Sequence, residues 1–378
     1  MKSGATTKMP SKPAEYVRPA STPFVAPLLG HVNVALSDTT SPELHAYLKA
    51  SAQHGVERAL IEFAARVCYR STGKMLTAPN FVSNVLSSGH LSVAEHPGIM
   101  FSKRALMGYR WESGMRYKTL SAMYEINRFF VETRNHVAGN LRSWLEVVGE
   151  LRYNPSFETF LAVLPEAFDA ESLLSTIDVH KAGVSVPVYV PSYEGDSEER
   201  HTSHLLYAHT GNLYHRNNGR NTRKHNLWLR YTFLVDGVSR NLTHQLARHR
   251  GASISQESQR YVDASSARFV LPPNVNDAQR QRMERAYQDS VAAYIELRAS
   301  GLRKEDARFV LPGAARTRLV VSFDHRELVH FLKLRCAKDA QWEIRRLART
   351  MAQQALMVSP TPELTQLVKE HEIDGFDS

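Results

Sequence analysis

The residues best suited to chemistry lie between Thr243 and Val262, T-H-Q-L-A-R-H-R-G-A-S-I-S-Q-E-S-Q-R-Y-V. Arg248, His249, Arg250 and Arg260 stand around a loop of small residues, with Gln245, Gln256, Ser253, Ser255 and Ser258 between them. Cations packed so closely repel one another unless an anion is shared among them, and a phosphate or diphosphate is the simplest such anion. The competing reading is a solvated basic helix end, where Arg and His complement the helix dipole. A second cluster, His90, Ser92, Glu95 and His96, crowds a turn after Gly89. Two imidazoles and a carboxylate admit a metal, yet no third compact ligand follows at zinc-like spacing. A capped loop with structural histidines is the alternative.

The elements that must position these groups follow from periodicity. Val238, Leu242 and Leu246 recur every four residues, which predicts one apolar face of a helix ending near Gly251, with Asn241, Gln245 and Arg248 on another face. Upstream, residues 1–30 read as a poorly ordered arm and His31 to Leu36 as a first strand. Ser41-Pro42-Glu43 opens a helix, Val56 to Tyr69 predicts another, and a short one from Phe81 ends at Gly89. Downstream, Val275 to Ala299 predicts a long helix closed by Gly301, with Met283, Ala286, Tyr287, Val291, Tyr294 and Leu297 on its spacing. Thr317 to Phe323 reads as a strand, His325 to Met357 as one long helix, and residues 359–378 as a loose acidic tail.

Composition limits what this frame can be. The 378 residues are 43% hydrophobic, enough to bury the core of one large domain or two ordinary ones, and this excludes a disordered chain. A formal net charge of +9 favours anionic partners, whether nucleotides, polyglutamate tails or nucleic acid. Cys68 and Cys336 are the two cysteines and have no metal-ligand spacing, which fits a reducing compartment without a disulfide framework. No apolar run is long enough to span a bilayer and the N-terminus lacks the apolar core of a secretory signal, so the expectation is a cytoplasmic protein.

The stretch around Arg248 resembles the signature of flavin-dependent thymidylate synthases (the ThyX family). There Arg-His-Arg is followed after seven residues by Ser and then by x-Arg-Tyr, as Arg248-His249-Arg250, Ser258, Arg260 and Tyr261 are here. Gly237-Val238-Ser239-Arg240 and His244-Gln245-Leu246 match its approach. The stretch from Gly89 to His96 resembles the family's G-H-x-S/T-x-x-E-H segment, and H-R-E-L-V-H-F-L-K-L-R-C-A-K-D-A-Q-W-E-I-R from His325 resembles its C-terminal block. In the family the Glu-His is followed almost at once by a strand of the type F-T-F. Here Tyr231-Thr232-Phe233 arrives about 130 residues later. Residues 31–101 and 231–358 are therefore expected to form the catalytic domain, with 102–230 an insertion.

The resemblance implies an α+β fold, a mostly antiparallel sheet packed against long helices, to which the insertion would add a helical subdomain. Within the insertion L-R-S-W-L-E-V-V has helical periodicity. His201 to Lys224 reads as a mobile solvated loop or else an anion-binding surface. Asn140-Leu141-Arg142-Ser143 resembles the Asn-x-Arg element that the family carries near its C-terminus, either by partial duplication or by chance.

The activity implied is reductive methylation of dUMP to dTMP, with methylenetetrahydrofolate as carbon donor and NADPH-reduced FAD as hydride source, in a homotetramer whose sites lie at subunit interfaces. A membrane or nucleic acid is not expected as a partner. Carried over by position, Gln245, Arg248, Ser258, Gln259, Arg260, Arg308 and Arg335 would bind substrate, Arg308 being preferred to Arg268 in the other copy of A-R-F-V-L-P. His90, Ser92, Arg248, His249, Arg250, Gln256, Asp324, Arg326 and His330 would bind the flavin. Arg335 and Ser258 are the catalytic candidates, Arg335 to stabilise charge on the uracil ring. Arginines surround Ser258 and the nearest His is nine residues away, which favours a positioning role over nucleophilic attack. Asp324 replaces the usual Asn, and a carboxylate cannot donate a hydrogen bond. With Gln256 where many relatives have Glu, this keeps open a related enzyme acting on another pyrimidine nucleotide. A non-catalytic nucleic-acid-binding relative is the reading from a different class.

Overall fold

The computed structural model describes residues 42–102, 131–132, 136–151, 181–182, 184–190, 202–213 and 226–373. The N-terminal arm, the strand expected at 31–36, and residues 103–130, 214–225 and 374–378 lie outside them.

Strand β7, Asn226–Ser239, is the axis of the fold. Its run L-W-L-R-Y-T-F-L-V is almost wholly apolar because both of its faces are covered. It pairs antiparallel with β6, Thr202–Leu213, and with β9, Arg316–Asp324. With β5 (Val184–Val190) and β8 (Ser253–Gln256) they form a five-stranded sheet of order β5-β6-β7-β9-β8. A four-stranded sheet of order β2-β3-β1-β4 joins β1 (Gly98–Ser102), β2 (Val131–Glu132), β3 (His136–Asn140) and β4 (Lys181–Ala182).

The two-residue period of β7 and β9 divides the core in two. Tyr231, Phe233 and Val235 stand opposite Phe323, Val321 and Leu319, and all are buried in one cluster. That cluster is closed by helices α5 (Arg240–Leu246), α8 (His325–Arg335), α9 (Trp342–Val358) and α10 (Pro362–Glu370). Leu234 and Val320, which face the other way, join α1 (Pro42–His54), α2 (Val56–Cys68), α3 (Phe81–Ser87) and α4 (Leu141–Leu151). The described residues are thus α+β, a mostly antiparallel sheet between two helical layers.

Several expectations are corrected. Where residues 102–230 are described they are mainly strand, with α4 the one helix among them. The rest of the expected helical subdomain lies outside the described residues, while the stretch expected as a loop from His201 to Lys224 contains β6. The reason is that the apolar β7 needs a partner along its open edge, and β6 supplies it. Helix α5 begins at Arg240, since Val238 still belongs to β7, and ends at Leu246 rather than near Gly251. The helix expected from His325 to Met357 is two helices, because the Gln341 side chain accepts from the Glu343 and Ile344 N–H groups and starts α9 afresh. The loose tail expected from 359 is instead, through residue 373, an ordered segment with α10, capped by Thr361, and Leu364, Leu367 and Ile373 buried. Helix α6, Asp277–Ala299, forms as expected, yet of its predicted apolar face only Tyr294 is buried within the chain.

Candidate active site

Ser239 starts the site. Its extended backbone closes β7, and its hydroxyl accepts the Leu242 N–H at 3.0 Å, capping α5. Buried Glu343 of α9 accepts from the Ser239 N–H at 2.7 Å and from its hydroxyl at 2.5 Å. Burial raises the pKa of Glu343, and these two bonds oppose the rise. Helix α5 is thereby held by α9 before it delivers Gln245 and the turn 247–250.

In that turn His249 docks on α8. Arg335 Nε donates to His249 Nε2 at 3.0 Å, and the imidazole meets Phe331 edge-on, with ring centroids 4.9 Å apart. Burial, then the charge of Arg335 and His330, lower the His249 pKa to about 4. The ring is neutral at pH 7, so Nε2 is the acceptor and Nδ1 carries the proton. Gly251 leaves room for the Glu327 side chain of α8, since a Cβ there would lie 2.4 Å from its carboxylate oxygen. Arg248 and Arg250 are exposed, and His330 beside them is exposed as well. Arg326 is 89% exposed, with only a 3.4 Å contact to Glu327.

A second group forms around Ser258. Its N–H donates to the Cys68 carbonyl at 3.0 Å, and its hydroxyl accepts the Arg260 N–H at 3.3 Å. No imidazole or carboxylate is a hydrogen-bond partner of this hydroxyl among the described residues. Arg260 pairs with Glu305 at 3.2 Å, and Arg308 donates to the Glu305 carbonyl at 3.0 Å, so the two arginines share one anchor. Tyr69 packs 5.0 Å from Tyr261 and its hydroxyl lies 3.2 Å from His90 Nδ1. His90 is thus joined to the Ser258 group, and Ser92 lies exposed beyond it. Gln259 and Arg268 line a neighbouring cleft of about 590 Å³, whose wall includes a two-pronged Arg70–Glu257 pair with both bonds at 2.8 Å.

Gln256 and Asp324 are committed to the protein. The Gln256 amide donates to Thr317 at 3.1 Å and lies 3.4 Å from the Thr243 hydroxyl. Asp324 accepts from Arg230 at 2.7 Å, and the Arg230 side chain is only 3% exposed. A carboxylate suits this position because a buried guanidinium requires a countercharge. Arg230, Glu257 and Glu343 were missed by sequence reasoning, and His96 was noticed only as part of the cluster after Gly89. A visible signal existed for Arg230, a charge at the centre of an otherwise apolar strand. His96 is fully buried with both ring nitrogens 2.8 Å from serine hydroxyls, Ser322 at Nδ1 and Ser255 at Nε2, so neither is free for a metal.

Residues 228–361 match the family model described as thymidylate synthase complementing protein. The matched segment includes both groups above except Cys68, Tyr69, His90 and Ser92. Curated relatives include the flavin-dependent thymidylate synthase of Nitratidesulfovibrio vulgaris, 50% identical over 32% of this chain and 54% of that protein. That of Geobacter sulfurreducens is 48% identical over 35% of this chain and 58% of that protein. The chain thus spans about half the length of the curated relatives it matches. A solved UMP/dUMP methylase from Streptomyces cacaoi is 25% identical over 39% of this chain and 74% of that one, with a TM-score of 0.34.

Proposed function

We propose that this chain is a flavin-dependent thymidylate synthase, which converts dUMP to dTMP with methylenetetrahydrofolate and NADPH as co-substrates and FAD as cofactor. The observation that carries the reading is the Arg335–His249 contact, which joins the signature loop to the C-terminal block in one site. The neutral imidazole fixes Nε of Arg335, while its Nη groups make no hydrogen bond among the described residues. A half-buried guanidinium held by one edge suits a uracil ring that gathers negative charge as C5 attacks the carbon donor.

Ser258, Arg260 and Arg308, with Gln245, would hold the nucleotide phosphate, and Gln259 would line the same site. The Ser258 hydroxyl has no base beside it, which supports positioning over attack. Arg248, Arg250 and Arg326 form a cationic surface whose donors fit the diphosphate of FAD, beside His249 and His330. Bound FAD supplies the hydride that completes the methyl group, while C5 gives up its proton. His90 and Ser92 would meet the flavin from the opposite side, and Asp324 and Gln256 act as supports of the site. A homotetramer with sites at subunit interfaces is what the family resemblance implies for this chain. No helix among the described residues is long and apolar enough to cross a membrane, and we place the enzyme in the cytoplasm.

The test is the visible spectrum of the purified protein reconstituted with FAD. NADPH should bleach the flavin band and dUMP should perturb it, with dTMP formed when methylenetetrahydrofolate is added. A protein that binds no flavin, or one that prefers dCMP or UMP to dUMP, overturns the reading.

A further inference from the structure

The face of the central sheet that meets the N-terminal helices carries a polar seam. In register, Arg230 lies opposite Asp324, Thr232 opposite Ser322, and Ser322 opposite Ser253. Ser255 is two residues on from Ser253 and shares its face. His96 is set onto this seam and is fully buried. Its Nδ1 lies 2.8 Å from the Ser322 hydroxyl, which lies 2.6 Å from that of Thr232. Its Nε2 lies 2.8 Å from the Ser255 hydroxyl, which also bonds the Cys68 thiol. The Cys68 carbonyl in turn accepts the Ser258 N–H at 3.0 Å. Through its own backbone His96 accepts from Arg230 Nε at 2.9 Å, and Arg230 also donates to Ser253, to the Glu95 carbonyl and to Asp324, the residue before α8.

We propose that His96 is a positioning residue that ties the Ser258 loop and the start of α8 to one fixed point, acting through Ser255 on one side and through Ser322 and Arg230 on the other. The roles of those two segments rest on the thymidylate synthase reading; the coupling itself does not. His96 touches none of the residues proposed to bind dUMP or FAD. It is suited to the task because a neutral imidazole offers one donor and one acceptor at a fixed separation, so two strands can be held at once. A hydrophobic residue of the same size would fill the space and leave four hydroxyl contacts unmade or rearranged.

Two amide substitutions separate the arms. In His96→Asn the amide reaches the place of Nδ1 and keeps Ser322; in His96→Gln it reaches the place of Nε2 and keeps Ser255. Hydrogen exchange in the full-length protein should quicken about 10-fold in residues 253–262 for His96→Asn with 316–328 little changed, and the reverse for His96→Gln, the size expected for one lost buried hydrogen bond. Calorimetry with dUMP on the FAD-loaded protein should show Kd raised about 10-fold for His96→Asn and within about 2-fold of wild type for His96→Gln. Should either variant fail to fold, Ser255→Ala must reproduce the first pattern and Ser322→Ala the second. Equal changes of both segments in all variants, or no change in either, overturn the proposal, as does an equal loss of dUMP affinity in both arms. A wild-type protein that does not bind dUMP defeats the thymidylate synthase reading, and the exchange pattern then still decides the coupling.

Discussion

Two histidines carry much of the organisation through the hydrogen bonds they make. His249 accepts from Arg335, and His96 bridges two serines; both are neutral when folded. Arg335→Lys keeps the charge but removes the Nε donor that His249 receives. We expect kcat/KM for dUMP to fall about 100-fold while the melting temperature stays within about 2 °C, measured by steady-state kinetics and thermal unfolding. Burial, followed by the nearby Arg230 charge, lowers the His96 pKa to about 3, against an ordinary value of 6.5. Below pH 6.5 the unfolded chain therefore binds the extra proton first, so this stability is complete above 6.5 and is lost as pH falls toward 3. Urea unfolding at pH 7, 6 and 5 should show a slope approaching about 1.4 kcal/mol per pH unit from this group, and His96→Gln should flatten it.

At the scale of elements, the boundaries of helices matter more than their interiors. Helix α5 has seven residues, too few to persist without tertiary help, and its start is held by Ser239 and Glu343. Ser239→Ala removes the cap and strips Glu343 of a hydroxyl donor. The expected cost is about 1–3 kcal/mol by urea unfolding, with weakened dUMP binding because Gln245 and the turn after it hang from this helix. The place of Ser239 at the end of a strand, from which it caps α5, was not legible in the sequence. Helical periodicity cannot separate Val238 in a strand from Leu242 in a helix when both are buried. The break at residues 336–341 was likewise hidden, since Lys338, Asp339 and Ala340 do not forbid helix and only the Gln341 cap restarts it.

At the scale of the molecule, residues outside the segment 228–361 that matches the family model complete its sheet. Leu205 of β6 is fully buried in the same core as Phe233 and Leu328. Leu205→Ala should cost about 2–5 kcal/mol, measured by chemical denaturation, if β6 is as integral as its pairing indicates. A cost below about 0.5 kcal/mol would instead make β6 a surface appendage.

The sequence by itself determined the chemistry on offer: clustered Arg and Ser residues at a spacing that answers to a phosphate, a frame of amphipathic helices, and the resemblance from which the proposed reaction follows. These are local properties, written in side-chain type and short-range period. Only the tertiary structure decided which distant residues meet. Arg335 lies 86 positions from His249, and Ser322 lies 226 from His96, so no window of sequence contains either pair. It also decided that β5 and β6 extend the central sheet while β2, β3 and β4 join β1 in a second one, because edge pairing depends on which backbone remains unpaired after the core has formed. The basic residues of the opening stretch were divided the same way: His249 docks on α8, Arg248 and Arg250 on either side of it stay exposed, and Arg260 pairs with Glu305.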